Sequence, residues 1–297
     1  MTRWMSLLPT CRHCRSFHYR TLAGRFKGKM QELPELELYR ALLAERFSGA
    51  AITALEFHED LIDEDATELQ QDVVGKSVWF VERRAELIVF HLDNGKRLIF
   101  RLSDEASIYV GSSNETLERE ASIYIRFDDR FLALHGVTAA DIELMSVKEL
   151  ESIMKSRGID PLDKRLSLAK FMERYAKKRS SIKTALVDQS LLAGIGPVYS
   201  DEILFEAGLR PDRKTAELSH EEWESLYSAL NHIVRDSISH GGVRELPLFA
   251  GDGISGLYRE RLAVHELEGQ TCKRCGGTIK KSSVAGRKCY SCPDCQK

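Results

Sequence analysis

Two Cys-x2-Cys pairs stand near the C-terminus, Cys272-Lys273-Arg274-Cys275 and Cys292-Pro293-Asp294-Cys295, with sixteen residues between them. Each pair sets two sulfurs on one tight turn. A hairpin across the intervening residues then gathers all four into a tetrahedral thiolate site of the kind that holds zinc. The hairpin's parts are visible: residues 277–281 and 286–290 can be its strands, with Val284-Ala285-Gly286 near the tip. A segment of about thirty residues has too little core to fold alone, so a bound Zn2+ supplies the missing free energy. Because Cys272, Cys275, Cys292 and Cys295 would fill the shell, one structural ion is expected, with no open position for catalysis. Cys289 falls outside the spacing and reads as a packed strand residue. Residues 15–271 contain no cysteine, which excludes a disulfide framework and favours a reduced compartment.

Ahead of the cysteines the pattern changes twice. Residues 34–48 suit a helix, with Pro34 in the first turn, Leu36, Leu38, Leu42, Leu43 and Phe47 as an apolar side, and Gly49 as the stop. Short β-like runs follow to about residue 134, with Asp93-Asn94-Gly95 as a turn between two of them. From about 146 to 240 the spacing is helical. The fold class is therefore α+β and multidomain: an antiparallel β domain with a helix over 30–145, a helical domain over 146–260, and the cysteine-bearing end over 261–297. No run of eighteen apolar residues exists, so no membrane-spanning helix is expected. Charge is segregated. Residues 1–29 carry seven Lys or Arg and no acid, residues 30–150 carry 12 bases against 25 acids, and residues 151–297 carry 24 against 20. Within the last part, residues 164–183 hold eight bases and only Glu173, which by itself reads as a solvated helix face. Basic residues around the cysteines, Lys273, Arg274, Lys280, Lys281, Arg287 and Lys288, lean toward nucleic acid.

Three motifs in one order resemble the Fpg/Nei family of DNA glycosylases with AP-lyase activity. Residues 30–40, MQELPELELYR, resemble the family's start, Met-Pro-Glu-Leu-Pro-Glu-x-Glu. Residues 182–211 resemble its helix-two-turns-helix segment, and residues 272–297 its zinc finger. The resemblance covers residues 30–297. It implies a β-sandwich with a helix, a helix-two-turns-helix domain and a four-Cys zinc finger, with double-stranded DNA, damaged or not, as partner in the cleft between the halves. It also implies a monomer without membrane attachment, in the bacterial cytoplasm at the nucleoid. Lys183, Gly194, Gly196, Tyr199 and Arg287 match DNA-binding positions, and Glu32 and Glu35 match catalytic acids. Residues 1–29 precede the family's start and read as an extension, either untranslated or disordered.

Several family positions are altered. The family's nucleophile is an N-terminal proline whose secondary amine attacks C1′ of the damaged nucleotide after it has been flipped out; here that position is Gln31, whose amide nitrogen lacks usable basicity. Glu86 stands where the family has a phosphate-contacting Lys, so attraction becomes repulsion. The family's wedge loop is replaced by residues 101–106, with Asp104 and Glu105, its second wedge Arg aligns with Thr138, and Pro197 replaces a phosphate-binding Asn. Without the amine, Glu32 and Glu35 read as acids at a helix N-terminus, where they stabilise the dipole. The expected function is a DNA-binding, base-excision-repair type paralogue with impaired Schiff-base chemistry. Two alternatives stand beside it: an active glycosylase or lyase using another group, such as Glu32 directing water, and a protein-interaction module that has abandoned DNA.

Overall fold

The computed structural model describes residues 30–297. Residues 1–29, with the expectation placed on them, lie outside that range. Helix α1 spans Leu33–Phe47 with Pro34 in its first turn, where a missing N–H costs no helical bond. Leu36, Tyr39, Leu42, Leu43 and Phe47 are buried along one side. The chain then turns at Gly49, whose φ of 86° suits a residue without a Cβ.

Two antiparallel four-stranded sheets face each other. One has the order β1 (Ala54–Phe57), β6 (Ile123–Arg126), β7 (Arg130–His135), β5 (Ser107–Ser112); the other has β2 (Val78–Arg84), β3 (Leu87–Leu92), β4 (Arg97–Arg101), β8 (Ile142–Met145). Helix α2 (Glu64–Val73) lies in the connection from β1 to β2, capped by Asp63, whose carboxylate accepts from Ala66 N at 2.7 Å. All six residues of β3 are buried, and the two-residue period explains why. Ile88, Phe90 and Leu92 join the core between the sheets, while Leu87 and Val89 point to the other side, where Ile99, Met145 and Leu150 meet them. Leu150 belongs to α3 (Val147–Met154), so α3 covers the outer face of the second sheet. Its packing attaches it to the β half, one helix beyond the boundary expected at 146.

The helical half contains α4 (Leu168–Tyr175), α5 (Ile182–Leu186), α6 (Pro197–Glu206) and α7 (His220–Ser239). Phe171, Tyr175, Ile182, Leu186, Ile195, Tyr199, Ile203, Leu226 and Leu230 build its core, and Leu33 of α1 is buried in the same core. The first residue of α1 thus stitches the two halves together. Strands β9 (Lys280–Val284) and β10 (Arg287–Ser291) form the terminal hairpin around Ala285 and Gly286, both at positive φ. Arg274 fixes this hairpin to α6 by donating to Phe205 O at 2.9 Å and pairing with Glu206 at 3.0 Å. Gln296 donates to Leu209 O at 2.8 Å, and Lys297 N to Gly208 O at 2.9 Å. Among the described residues, no helix is long and apolar enough to cross a membrane.

Candidate nucleic-acid site and metal centre

The four cysteines expected to ligate a metal come together. All four Sγ atoms lie within 4.8 Å of one another, with Cys272 and Cys295 at 3.8 Å and Cys275 and Cys292 at 3.5 Å. A tetrahedron with Zn–S bonds of 2.3 Å has edges of about 3.8 Å, so the set fits one Zn2+. Cys289 is buried on β10, outside the cluster, as the spacing predicts.

At the start of the described chain, Gln31 is 4 % exposed and held by three hydrogen bonds. Its backbone N–H donates to Leu102 O at 3.1 Å, and its Nε2 donates to Ser103 O at 3.1 Å and Ala106 O at 2.7 Å. From the far side, Arg244 donates Nη1 to Asp104 O and Nη2 to Ala106 O at 2.8 Å. Two side chains therefore hold the carbonyls of Ser103, Asp104 and Ala106, and the loop presents Asp104 and Glu105 to solvent. The nitrogen at the position of interest is an amide donor to a carbonyl, with no lone pair available for attack. Thr138, at the second wedge position, caps the turn that follows it: its N–H and hydroxyl both donate to Asp141 at 2.8 Å.

Glu32 and Glu35 bridge the halves instead of charging the end of their own helix. The Glu32 carboxylate accepts from Gly196 N at 2.8 Å, Val198 N at 2.9 Å and Tyr199 N at 3.3 Å, the free donors at the N-terminus of α6. A Cβ on Gly196 would lie 2.6 Å from the Glu32 carboxyl carbon, so glycine is required for that approach. Gly194, at φ 80°, gives its carbonyl to Leu33 N at 2.7 Å. Glu35 accepts from Tyr199 OH at 2.6 Å and Val243 N at 3.0 Å. Burial, with Glu35 adding repulsion, pushes Glu32 up to about 7, and the backbone donors at α6 oppose it. Burial likewise raises Glu35, against the Tyr199 hydroxyl. Both carboxylates are consumed by internal partners.

Two expected DNA contacts take interior places. Lys183 is 1 % exposed, and its ammonium donates to Asp201 at 2.5 Å, Ser200 Oγ at 2.7 Å and Pro197 O at 2.9 Å. With every proton engaged inside the protein, it cannot also reach a phosphate in this arrangement. Tyr199 is fully buried with its hydroxyl on Glu35. These side chains hold α5, α6 and α1 together. Asp201 extends the chain to His265 Nδ1 at 2.7 Å, while Glu202 accepts from Ala263, Val264 and His265 N at 2.8 to 3.0 Å, coupling α6 to the segment entering the zinc hairpin. Arg287, on the hairpin, and Pro197, at the first turn of α6, are exposed.

Glu86 is 7 % exposed and ion-paired with Arg157. The carboxylate therefore does not stand alone against a phosphate; its charge is met by a guanidinium from the other half. Sequence reading missed Arg157 and Arg244 because each acts on a residue 71 or more positions away, with no local pattern to announce it.

Against known proteins, residues 30–138 match the profile of the formamidopyrimidine-DNA glycosylase N-terminal domain. Residues 157–245 match that of its H2TH domain, and residues 269–297 that of a zinc finger found in FPG and IleRS. A formamidopyrimidine-DNA glycosylase of Exiguobacterium is 31% identical over 275 residues, covering 90% of this chain and 99% of the relative. One from Listeria innocua is 30% identical over 274 residues, covering 90% and 100%. The structure of Lactococcus lactis Fpg with DNA containing an abasic site superposes with a TM-score of 0.81 at 28% identity, covering 90% of this chain and 99% of that one. Its complex with Fapy-dG-containing DNA gives 0.79 at 28%, covering 90% and 100%.

Proposed function

Because this chain belongs to the formamidopyrimidine-DNA glycosylase family, we propose that it is a DNA-binding member in which Schiff-base glycosylase and AP-lyase chemistry is impaired. The single observation that carries the reading is the state of residue 31, a buried amide whose N–H is bonded to Leu102 O and whose side chain clips the loop 102–106. Imine formation needs a free amine with a lone pair aimed at C1′, and Met30, just ahead, is bridged to Ser103. Occupation of Glu32 and Glu35 by helix α6, Tyr199 and Val243 speaks against either directing a water in place of the amine. The DNA partner is inferred from the helix-two-turns-helix and zinc-finger match and from the Lactococcus neighbours on abasic and Fapy-dG DNA.

In this reading the β domain, the helical domain and the zinc finger (30–145, 146–260 and 261–297, with α3 packed on the first) act as one clamp. Gly194, Gly196 and Arg287 mark the face toward phosphate. The test is a duplex carrying a single abasic or oxidised-base site. A retained complex without strand scission supports the proposal; scission well above that of heat-inactivated protein overturns it.

A further inference from the structure

Beside the ion pair of Glu86 and Arg157, between the β2–β3 turn and the start of the helical half, opens a cleft of about 860 Å³. Its lining contains six cationic side chains against the carboxylates of Asp160, Asp163 and Glu173, in a chain whose β half is strongly acidic. Three of the six are committed to the fold. Arg83 is held by Glu37 at 3.0 Å and Asp160 at 2.7 Å, Arg84 by Glu151 at 3.0 Å, and Arg157 by Glu86. Arg165 grips Asp163. Lys170 and Arg174 are exposed, and neither has a carboxylate within ion-pair distance among the described residues.

Both project from α4, four residues apart, so they share one face with about 6 Å of rise between them. The side of the helix about 100° round from them is fixed by Phe171 and Tyr175 in the helical core, which gives the two cations a rigid base. At its other end the cleft reaches Ala193, the residue before the Gly194-Ile195-Gly196 turn that leads into α6.

We infer that this cleft is a second phosphate track for nucleic acid, with Lys170 and Arg174 as its contact residues, extending the strand path beyond the turn at Gly194–Gly196. The inference rests on the DNA-binding reading above and deepens it. In that reading Glu86 and Pro197 replace two phosphate ligands of the family, and cations on α4 restore attraction one step along the path. The partner is a polyphosphate backbone, because the free cations lie in a row along one helix face and an extended polyanion can follow the row. A paired, self-satisfied lining would have left no such charges.

The test uses the full chain and a fluorescein-labelled duplex, with anisotropy read over a salt series. The comparison is between wild type, Lys170→Ala/Arg174→Ala, and a matched control, Arg119→Ala/Lys148→Ala, whose residues do not line the cleft. Two lost phosphate contacts should reduce the slope of log affinity against log salt by about 2 for the cleft variant and leave the control at the wild-type slope. Wild type that binds while the cleft variant keeps its slope overturns the track and leaves the DNA-binding reading standing. Wild type that binds no duplex even at low salt overturns that reading and the track with it. Displacement of the duplex by poly-glutamate as effectively as by unlabelled DNA at equal charge also overturns the inference, in favour of an acidic protein partner.

Discussion

Replacing Lys183 with Met separates an internal role from a DNA-contacting one. In the structure the ammonium is 1 % exposed and Asp201, its partner at 2.5 Å, is fully buried. Removing the cation leaves a buried carboxylate with His265 as its remaining side-chain partner, 2.7 Å away, and strips the hydrogen bonds to Ser200 and Pro197 O. Breaking a buried pair from one side costs about 3–5 kcal/mol, because the survivor keeps its desolvation penalty. The methionine stem replaces most of the lost apolar volume, so little of that figure is cavity. Urea unfolding followed by circular dichroism should show a midpoint lowered by about 1 to 2 M for a slope near the upper end for small proteins. The double variant Lys183→Met/Asp201→Leu should recover a substantial part of the loss, since no charge is then left inside. A Lys183→Met protein within about 0.5 kcal/mol of wild type, and weakened only in DNA binding, would refute the reasoning and put the ammonium on the surface.

Three further outcomes follow from the same geometry. Glu32 is raised from 4.5 to about 7 in the folded protein, so its contribution to stability is fully present below pH 4.5 and is lost as pH rises through about 7. Relative to Glu32→Gln, which does not titrate, wild type should therefore lose about 3 kcal/mol across that window in pH-resolved unfolding. A difference that stays flat from pH 4.5 to 7.5 would contradict it. Metal analysis should find one zinc per chain, and Cys292→Ser should abolish it, releasing the hairpin and exposing Phe205 to proteolysis of the adjoining helix; retained zinc in that variant would contradict the four-thiolate assignment. Glu86→Gln should be milder than Arg157→Ala in thermal unfolding, because the first leaves a part-exposed guanidinium and the second a buried carboxylate; the reverse order would contradict the pairing.

What the sequence could reveal depended on the range of the interaction. The hairpin turn at Asp93–Gly95, the helical spacing that the long helix from His220 to Ser239 follows, and the four-thiolate centre are local patterns, and each is found where its spacing places it. Strand β8, only four residues long, lies beyond the β-like stretch expected to end at about residue 134. Helix α3 packs on the β half; its amphipathic pattern says that one face is buried but not against which element. The same limit applies at the site. The substitution at residue 31 is visible in a string of letters, but the clip it forms with residues 103 and 106 joins positions over 70 apart. Charge reversal at residue 86 reads as repulsion until Arg157 is seen beside it. The burial of Lys183 against Asp201 joins positions 18 apart and has no local signal in the sequence.

The central claim is that no amine among the described residues is placed to capture the sugar carbon, and borohydride trapping on a duplex with one abasic site tests it most directly. With the protein purified at its native N-terminus, denaturing electrophoresis and intact-mass measurement should show free protein and free DNA only, even where a salt series proves that the two associate. A reduced covalent protein–DNA adduct, mapped to any amine of the chain at a yield matching an active relative, would contradict the account.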